Sequence, residues 1–353
     1  MADKTYRVIQ WATGTVGKTA IRHFAQNPYH ELVGVLVTNP KKVGKDAGAI
    51  AGIEPLGVVA TDDPEAIVAM EADCVHFAPL MPDIPMVCRL LRSGKNVVSP
   101  LGPFYSFERY KADVETLAQA CSEGGTSFHG CGIHPGFAGD LLPITLMRIM
   151  NRVERIHLYE TIDHLANPSG YISFMGFGRE AEDLLANPGR DPTAPWMFGQ
   201  SMQMVADALG RQIGDITAQF NVAKATRDIA YPSGRDTTSV VKKGTVAGQH
   251  YEWTGLSDGK PLVTYHCFWT MGADNIDQPW ECGDSGYRIV IEGDPPMEVT
   301  MKSPPQDGSR PYLGLPWTAM AGVNVIGAVC DAPPGVVTHF DLGVPVMRGL
   351  ARD

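Results

Sequence analysis

The chain has 353 residues, more than one hydrophobic core usually serves, so two domains are expected. A formal net charge of −10 opposes nucleic-acid binding as the main activity, and the apolar runs stop well short of a membrane span. Seven scattered cysteines with no CxxC pair exclude a disulfide framework and a cysteine zinc site, and MADKTYRVIQ carries no apolar leader, so a reduced cytoplasmic protein without a metal is expected.

Tyr6–Trp11 is a short apolar run of strand character, followed directly by Thr13-Gly14-Thr15-Val16-Gly17. Val16, Ala20, Ile21 and Phe24 then recur at helical spacing. Strand, tight glycine turn and helix in that order open a dinucleotide-binding unit. The first N–H groups of the helix and its dipole attract a pyrophosphate, Gly14 lets the backbone approach it, and Gly17 lets the helix pack closely on the strand. The pattern reads Ala12-x-Gly14-x-x-Gly17, with alanine at the first glycine position. Thr13, Gly14, Thr15, Val16 and Gly17 are candidate cofactor contacts; the plainer alternative is an ordinary βα turn.

Glu31–Thr38 reads as the second strand. An NAD-binding fold usually places an acid at its end, about 20 residues past the glycines. Here the residues are Thr38-Asn39-Pro40-Lys41-Lys42, and the next acid is Asp46. A carboxylate repels a 2′-phosphate, whereas hydroxyl, amide and ammonium groups bind it. Thr38, Asn39, Lys41 and Lys42 therefore favour NADP(H) over NAD(H), the alternative being a solvated lysine loop.

Gly57–Thr61 is a candidate third strand, with an acidic helix opening near Asp62–Glu65. Cys74–Ala78 is a compact buried strand broken at Pro79-Leu80-Met81-Pro82. Ligands of a doubly wound sheet bind beyond the carboxyl ends of its strands, which makes Ala78, Pro79 and Leu80 further cofactor contacts. Pro85–Ser93 reads as a helix and Asn96–Ser99 as a strand ending in Pro100-Leu101-Gly102-Pro103-Phe104-Tyr105. Glu108–Glu123 is helical and Ser127–Gly132 is the last strand. This alternation predicts a parallel sheet covered on both faces. Gly130-Cys131-Gly132-Ile133-His134-Pro135-Gly136-Phe137 closes the domain, and Ala138–Ile149 follows as an amphipathic helix. His134 is a candidate donor or general acid, or else only a cap of its turn.

From Val153 the pattern changes to consecutive strands: Val153–Ile162, Thr217–Ala225, Thr237–Ala247, Tyr251–Leu256, Leu262–Trp269, Tyr287–Glu292 and Glu298–Met301. Turns at Ala247-Gly248-Gln249 and Ser257-Asp258-Gly259 make the sheet mostly antiparallel. Helices are expected near Arg179–Ala186 and Phe198–Gly210, a surface linker over Ser303–Pro316, and a final apolar helix over Thr318–Val329. The expected fold is α/β: a Rossmann doubly wound domain over 1–150, an α+β substrate and dimerisation domain over 151–316, and a C-terminal helix and tail over 317–353 returning to the first domain.

The segments VIQWATGTVG, GCGIHPGFAGDLLP, MGFG followed by MVADALG, and AVCDAPPGVVT resemble proteins with a dihydrodipicolinate-reductase-like N-terminal domain. The resemblance is nearest to NAD(P)H-dependent amine dehydrogenases and diaminopentanoate dehydrogenase. It implies a Rossmann domain, an α/β substrate domain, hydride transfer at a carbon bearing N or O, and a homodimer. The amine dehydrogenases carry a glutamate after the strand that here ends at Ser99, where this chain has an apolar loop without an acid. The family asparagine of the NPG turn is His134 here.

A carboxylate beside the nicotinamide stabilises a developing ammonium or iminium; an apolar loop does not. Tyr105 and His134 are instead candidate catalytic acids, suited to protonating an alkoxide as a ketone is reduced. Phe104, Glu160, Tyr171, Phe174, Phe177 and Trp196 are candidates for a mostly apolar substrate pocket, with core packing as the alternative for the aromatic ones. The expected activity is NADPH-dependent hydride transfer to or from a carbonyl or imine carbon of a small molecule. Alternatives are an amine dehydrogenase or imine reductase using a different acid, a reductase of a conjugated C=C bond, and an NADP-binding sensor without turnover.

Overall fold

The computed structural model describes residues 4–108, 110–165, 172, 174–186, 197–232, 238–280, 285–304 and 314–351. The chain divides into two compact units, Met1–Phe137 with Leu315–Asp353, and Ala138–Gly314.

The first unit starts with strand β1 (Tyr6–Trp11), helix α1 (Thr15–Phe24) and strand β2 (His30–Leu36). Helices α2 (Ala47–Ala51) and α3 (Pro64–Ala69) precede β3 (Cys74–Phe77), and then come α4 (Ile84–Arg92), β4 (Asn96–Ser99), α5 (Tyr110–Gly124) and β5 (Ser127–Gly130). The expected strand at Gly57–Thr61 is reduced to isolated bridges, Leu36 with Thr61 and Asp46 with Val59. Its backbone pairs mostly with the segment before α2: the Ala60 N–H donates to the Lys45 carbonyl, and the Val58 and Ala60 carbonyls accept from Ala47 and Gly44.

The second unit opens with α6 (Leu141–Met147), shorter than the expected 138–149 helix because the Asp140 side chain accepts from the Leu141 N–H and fixes the start there. It continues through β6 (Arg152–Asp163), α7 (Ala181–Ala186), α8 (Phe198–Ala208), β7 (Asp215–Lys224), β8 (Ile229–Pro232), β9 (Thr238–Val241), β10 (Val246–Ser257), β11 (Lys260–Thr270), β12 (Gly286–Asp294) and β13 (Met297–Met301). The order in its main sheet is β13-β12-β6-β11-β10-β7, antiparallel except where β11 runs parallel to β6. The turn expected at 247–249 lies instead inside β10. Gly248 sits at a register irregularity where a Cβ would press within 2.9 Å of the Trp280 ring, and the chain reverses earlier, at Gly244 with φ +87°. The small β8–β9 pair was not anticipated.

The chain returns to the first unit with α9 (Gly314–Val323), α10 (Ile326–Cys330), β14 (Gly335–Val336) and α11 (His339–Leu342). The single apolar helix expected over 318–329 is two, interrupted at Asn324-Val325, where asparagine is a weak helix former. Val323, Ile326 and Val329 bury against Val8, Ala20, Phe24 and Val98. The first unit's sheet runs β14-β5-β4-β3-β1-β2, all parallel, and a second apolar layer packs its other face. Among the described residues no helix is long and apolar enough to cross a membrane.

Candidate active site

In the first unit β1 lies between β2 and β3, so successive crossovers leave it on opposite sides and a crevice opens beyond its carboxyl end. The glycine turn fills that position. Gly14 caps α1 without any side-chain hydrogen bond, and a Cβ added there would meet nothing within 4 Å. At Gly17 a Cβ would lie 2.1 Å from the Ala12 carbonyl oxygen, so only glycine allows this approach of helix to strand. One glycine is thus required by packing, and the other leaves space at a bare helix start, which fits a pyrophosphate. Ala12 adopts φ +70°, a conformation usually reserved for glycine, in keeping with its place at the first glycine position.

Gln10 holds this turn. Its Nε2 donates to the carbonyls of Trp11 (3.0 Å) and Ala12 (2.9 Å), and its Oε1 lies 2.8 Å from His76 Nδ1 on the next strand. Burial pushes the His76 imidazole down to about 4, so it is neutral at pH 7. Neither residue was singled out from the sequence, although a glutamine inside the apolar run Tyr6–Trp11 was a signal that it had a fixed partner.

After β2, Asn39 accepts from the Lys41 N–H and starts a short 3₁₀ turn over Pro40–Lys42. That turn aims Lys42 back at the glycine turn: its Nζ donates to the Thr13 carbonyl (2.8 Å) and hydroxyl (3.0 Å). Thr38 and Lys41 are exposed. Thr13, Thr15, Val16 and Lys42 are thus gathered at one edge, and Asp46 is engaged by the N–H groups of Gly48, Ala49, Leu56 and Gly57. The Ala78 N–H donates to the Trp11 carbonyl, which sets Ala78, Pro79 and Leu80 beside the same edge.

Tyr105 and His134 follow the neighbouring strands β4 and β5, paired in parallel through Ser99 and Gly130. Their loops pack tightly: a Cβ on Gly130 would lie 2.2 Å from the Pro103 carbonyl oxygen. Phe104 is buried, Tyr105 and His134 half-buried, and the Tyr105 ring meets Phe340 edge-on at 6.2 Å.

The second unit holds its own cluster. Glu160 is buried on β6, accepts a 2.6 Å hydrogen bond from Trp269 Nε1, and neighbours Cys267 and Tyr287 in register on the flanking strands. Burial first, and then the Glu160 charge, hold the Cys267 thiol and Tyr287 hydroxyl well above their usual ranges. The His164 ring contacts both Trp269 (6.4 Å) and Phe177 (5.6 Å), and both of its nitrogens are enclosed without a hydrogen-bond partner. Burial pushes it down to about 4, with Glu160 opposing. Phe177 also packs into the core beside Leu184 and Val246, whereas Phe174 is exposed. Tyr171 and Trp196 lie outside the described residues.

A parallel sheet with a glycine turn at its switch point, followed by a mixed, mostly antiparallel sheet, is the architecture of a pyridine-nucleotide oxidoreductase. Residues 8–82 match the family model for the N-terminus of dihydrodipicolinate reductase, and residues 137–352 match that of the 2,4-diaminopentanoate dehydrogenase C-terminal domain. An amine dehydrogenase of Streptomyces virginiae is 30% identical over 365 residues, covering 98% of this chain and 97% of that protein. The 2,4-diaminopentanoate dehydrogenase of Acetoanaerobium sticklandii is 29% identical over 247 residues, 68% of this chain and 64% of its own. The solved amine dehydrogenase of Mycobacterium smegmatis shares the fold with a TM-score of 0.82 at 17% identity, over 98% of both chains. The chain belongs to the 2,4-diaminopentanoate dehydrogenase family of dihydrodipicolinate-reductase-like oxidoreductases.

Proposed function

We propose that this protein is an NADPH-dependent oxidoreductase that transfers hydride to or from the carbonyl or imine carbon of a mostly apolar small molecule, and that it acts as a homodimer. The observation that carries the cofactor choice is Lys42, whose ammonium lies against Thr13 at the glycine turn while no acid ends β2. When bound, the nicotinamide supplies or accepts the hydride. The helix start at Gly14 would bind the pyrophosphate, Lys42 the 2′-phosphate, and Ala78–Leu80 would line the path from adenosine to nicotinamide. Tyr105 or His134 donates the proton that neutralises the developing alkoxide.

A second reading, amine or imine chemistry, is favoured by the amine dehydrogenase relatives and by Glu160. This buried carboxylate of the second unit has the chemistry to stabilise an iminium. NADPH oxidation against ketones, aldehydes and enones, with and without ammonia, separates the two readings. Ketone turnover lost in Tyr105→Phe or His134→Ala, with NADPH binding retained, supports the first. Ammonia-dependent turnover lost in Glu160→Gln supports the second. Calorimetry showing no uptake of either nucleotide would overturn both, and sedimentation equilibrium tests the dimer.

A further inference from the structure

The main sheet of the second unit has two unlike faces. Ile156, Leu158, Val263, Tyr265, Trp253 and Ile289 are buried on one. The opposite face carries His157 and Tyr159 on β6, His250 and Glu252 on β10, His266 on β11 and Arg288 on β12, all half-buried. At the β7 edge it presents exposed Thr217, Gln219 and Asn221. Glu252 and His266 are direct cross-strand partners, and His250 lies two residues from Glu252 on the same strand and face.

We propose that His250, Glu252 and His266 form a binding site for a divalent transition-metal ion, with zinc as the reference ion. One ligand atom from each of the three lies within 4.8 Å of the others. His266 Nδ1 is already 3.3 Å from a Glu252 carboxylate oxygen, near the roughly 3.3 Å that separates two ligands of a tetrahedral ion with bonds of about 2.0 Å. His250 Nε2 is buried and has no hydrogen-bond partner, an orphan that a metal would satisfy. Two imidazoles and one carboxylate are a donor set suited to zinc and its neighbours, leaving a fourth position for water.

The surroundings orient these ligands. The His250 ring stacks on Phe268 at 4.0 Å and the His266 ring on Tyr159 at 4.4 Å, so neither turns freely. His266 Nε2 lies 3.5 Å from His157 Nδ1, and His157 Nε2 lies 3.4 Å from Glu292. With Nδ1 on the metal, the remaining N–H of His266 faces His157 Nδ1 as its outer partner. Metal-bound histidines commonly have such an outer partner. The β10–β11 pair supplies all three ligands from adjacent strands, so the site is rigid before the ion arrives.

The test is calorimetric titration of the chelator-treated full chain with zinc ion alone at pH 7, repeated with cobalt(II) and read by visible absorption. The expected result is one ion per chain, with cobalt bands of a nitrogen- and oxygen-ligated site. Affinity should fall at least about 10-fold in His250→Ala and in Glu252→Gln. Glu252→Gln conserves shape, so it remains informative if His266→Ala does not fold. NADPH affinity unchanged in the same variants shows that they are intact. Absence of saturable binding, or binding equal to wild type in both His250→Ala and Glu252→Gln, overturns the proposal and assigns any zinc uptake to other surface histidines.

Discussion

The two sheets of this protein solve the same packing problem in opposite ways. The parallel sheet of the first unit is covered on both faces, so its strands are nearly continuous apolar runs and polar chemistry is displaced to their carboxyl ends. The mixed sheet of the second unit buries one face and leaves the other half-open, so its chemistry is written across the strands, in rows such as Tyr287-Glu160-Cys267 and Arg288-Tyr159-His266-Glu252. The candidate sites therefore lie at strand termini in one unit and on strand faces in the other. A change inside a first-unit strand or its helix contact should cost stability, and one just beyond a strand end should cost binding alone.

The two fingerprint glycines test that division most severely. Gly17→Ala places a methyl carbon against the Ala12 carbonyl, which has no flexible side chain to yield. We expect a loss of about 3 kcal/mol in urea unfolding, with NADPH binding lost as the turn shifts. Gly14→Ala meets nothing and has φ −69°, so its melting temperature should stay near wild type while NADPH affinity drops at least about 10-fold. Equal destabilisation by both substitutions would break the distinction between packing and binding glycines.

His76 probes the interior of the parallel sheet. Its ordinary value of 6.5 is depressed by burial to about 4 in the folded protein, so the unfolded chain takes up the proton first as pH falls. The stability contributed is complete above pH 6.5 and is lost progressively towards pH 4. Between pH 7 and pH 5 this one group should cost about 2 kcal/mol. His76→Gln retains a polar partner for Gln10 and should remove that share of the acid sensitivity. A wild-type slope in this variant would move the effect to the other depressed histidines, such as His266 on the second sheet.

At a strand end, Lys42→Ala should leave folding untouched. A hydrogen bond to a charged group contributes about 1.5–3 kcal/mol, so KM for NADPH should rise about 10- to 100-fold while that for NADH hardly moves. An equal rise for both nucleotides would confine Lys42 to bracing the Thr13 turn.

The same contrast explains what was legible in the sequence. Strand–turn–helix order and glycine spacing are local, and they located the first unit's sheet, its parallel character and the glycine turn between β1 and α1. The loop Thr38–Lys42 was found from its position, but the contact of Lys42 with Thr13 depends on a 3₁₀ turn started by the Asn39 side chain. Cross-strand neighbours are not local. Nothing in the spacing of His250, Glu252 and His266 reveals that β10 and β11 bring them together, since register depends on a turn at Ser257-Asp258-Gly259 and an irregularity at Gly255–Leu256. Gly248 misled for a related reason: glycine serves both turns and close approach to a ring, and only the fold shows that Trp280 is there.

Ala12 gives the smallest and most discriminating effect. Its φ of +70° costs an alanine about 1–2 kcal/mol relative to glycine. Ala12→Gly removes that strain but gives the unfolded chain more freedom, worth about 0.4–1 kcal/mol. It also deletes a methyl group buried in the cluster with Ile9 and Val75, worth about 0.8 kcal/mol. The three contributions nearly cancel, so urea unfolding should fall within about 1 kcal/mol of wild type and NADPH affinity should be unchanged. A loss well beyond that would mean the methyl is packed as tightly as a core side chain, and position 12 would then belong with Gly17 among the packing residues. A clear gain would show that the turn tolerates alanine under strain, held in place by the Gln10 amide on its carbonyl.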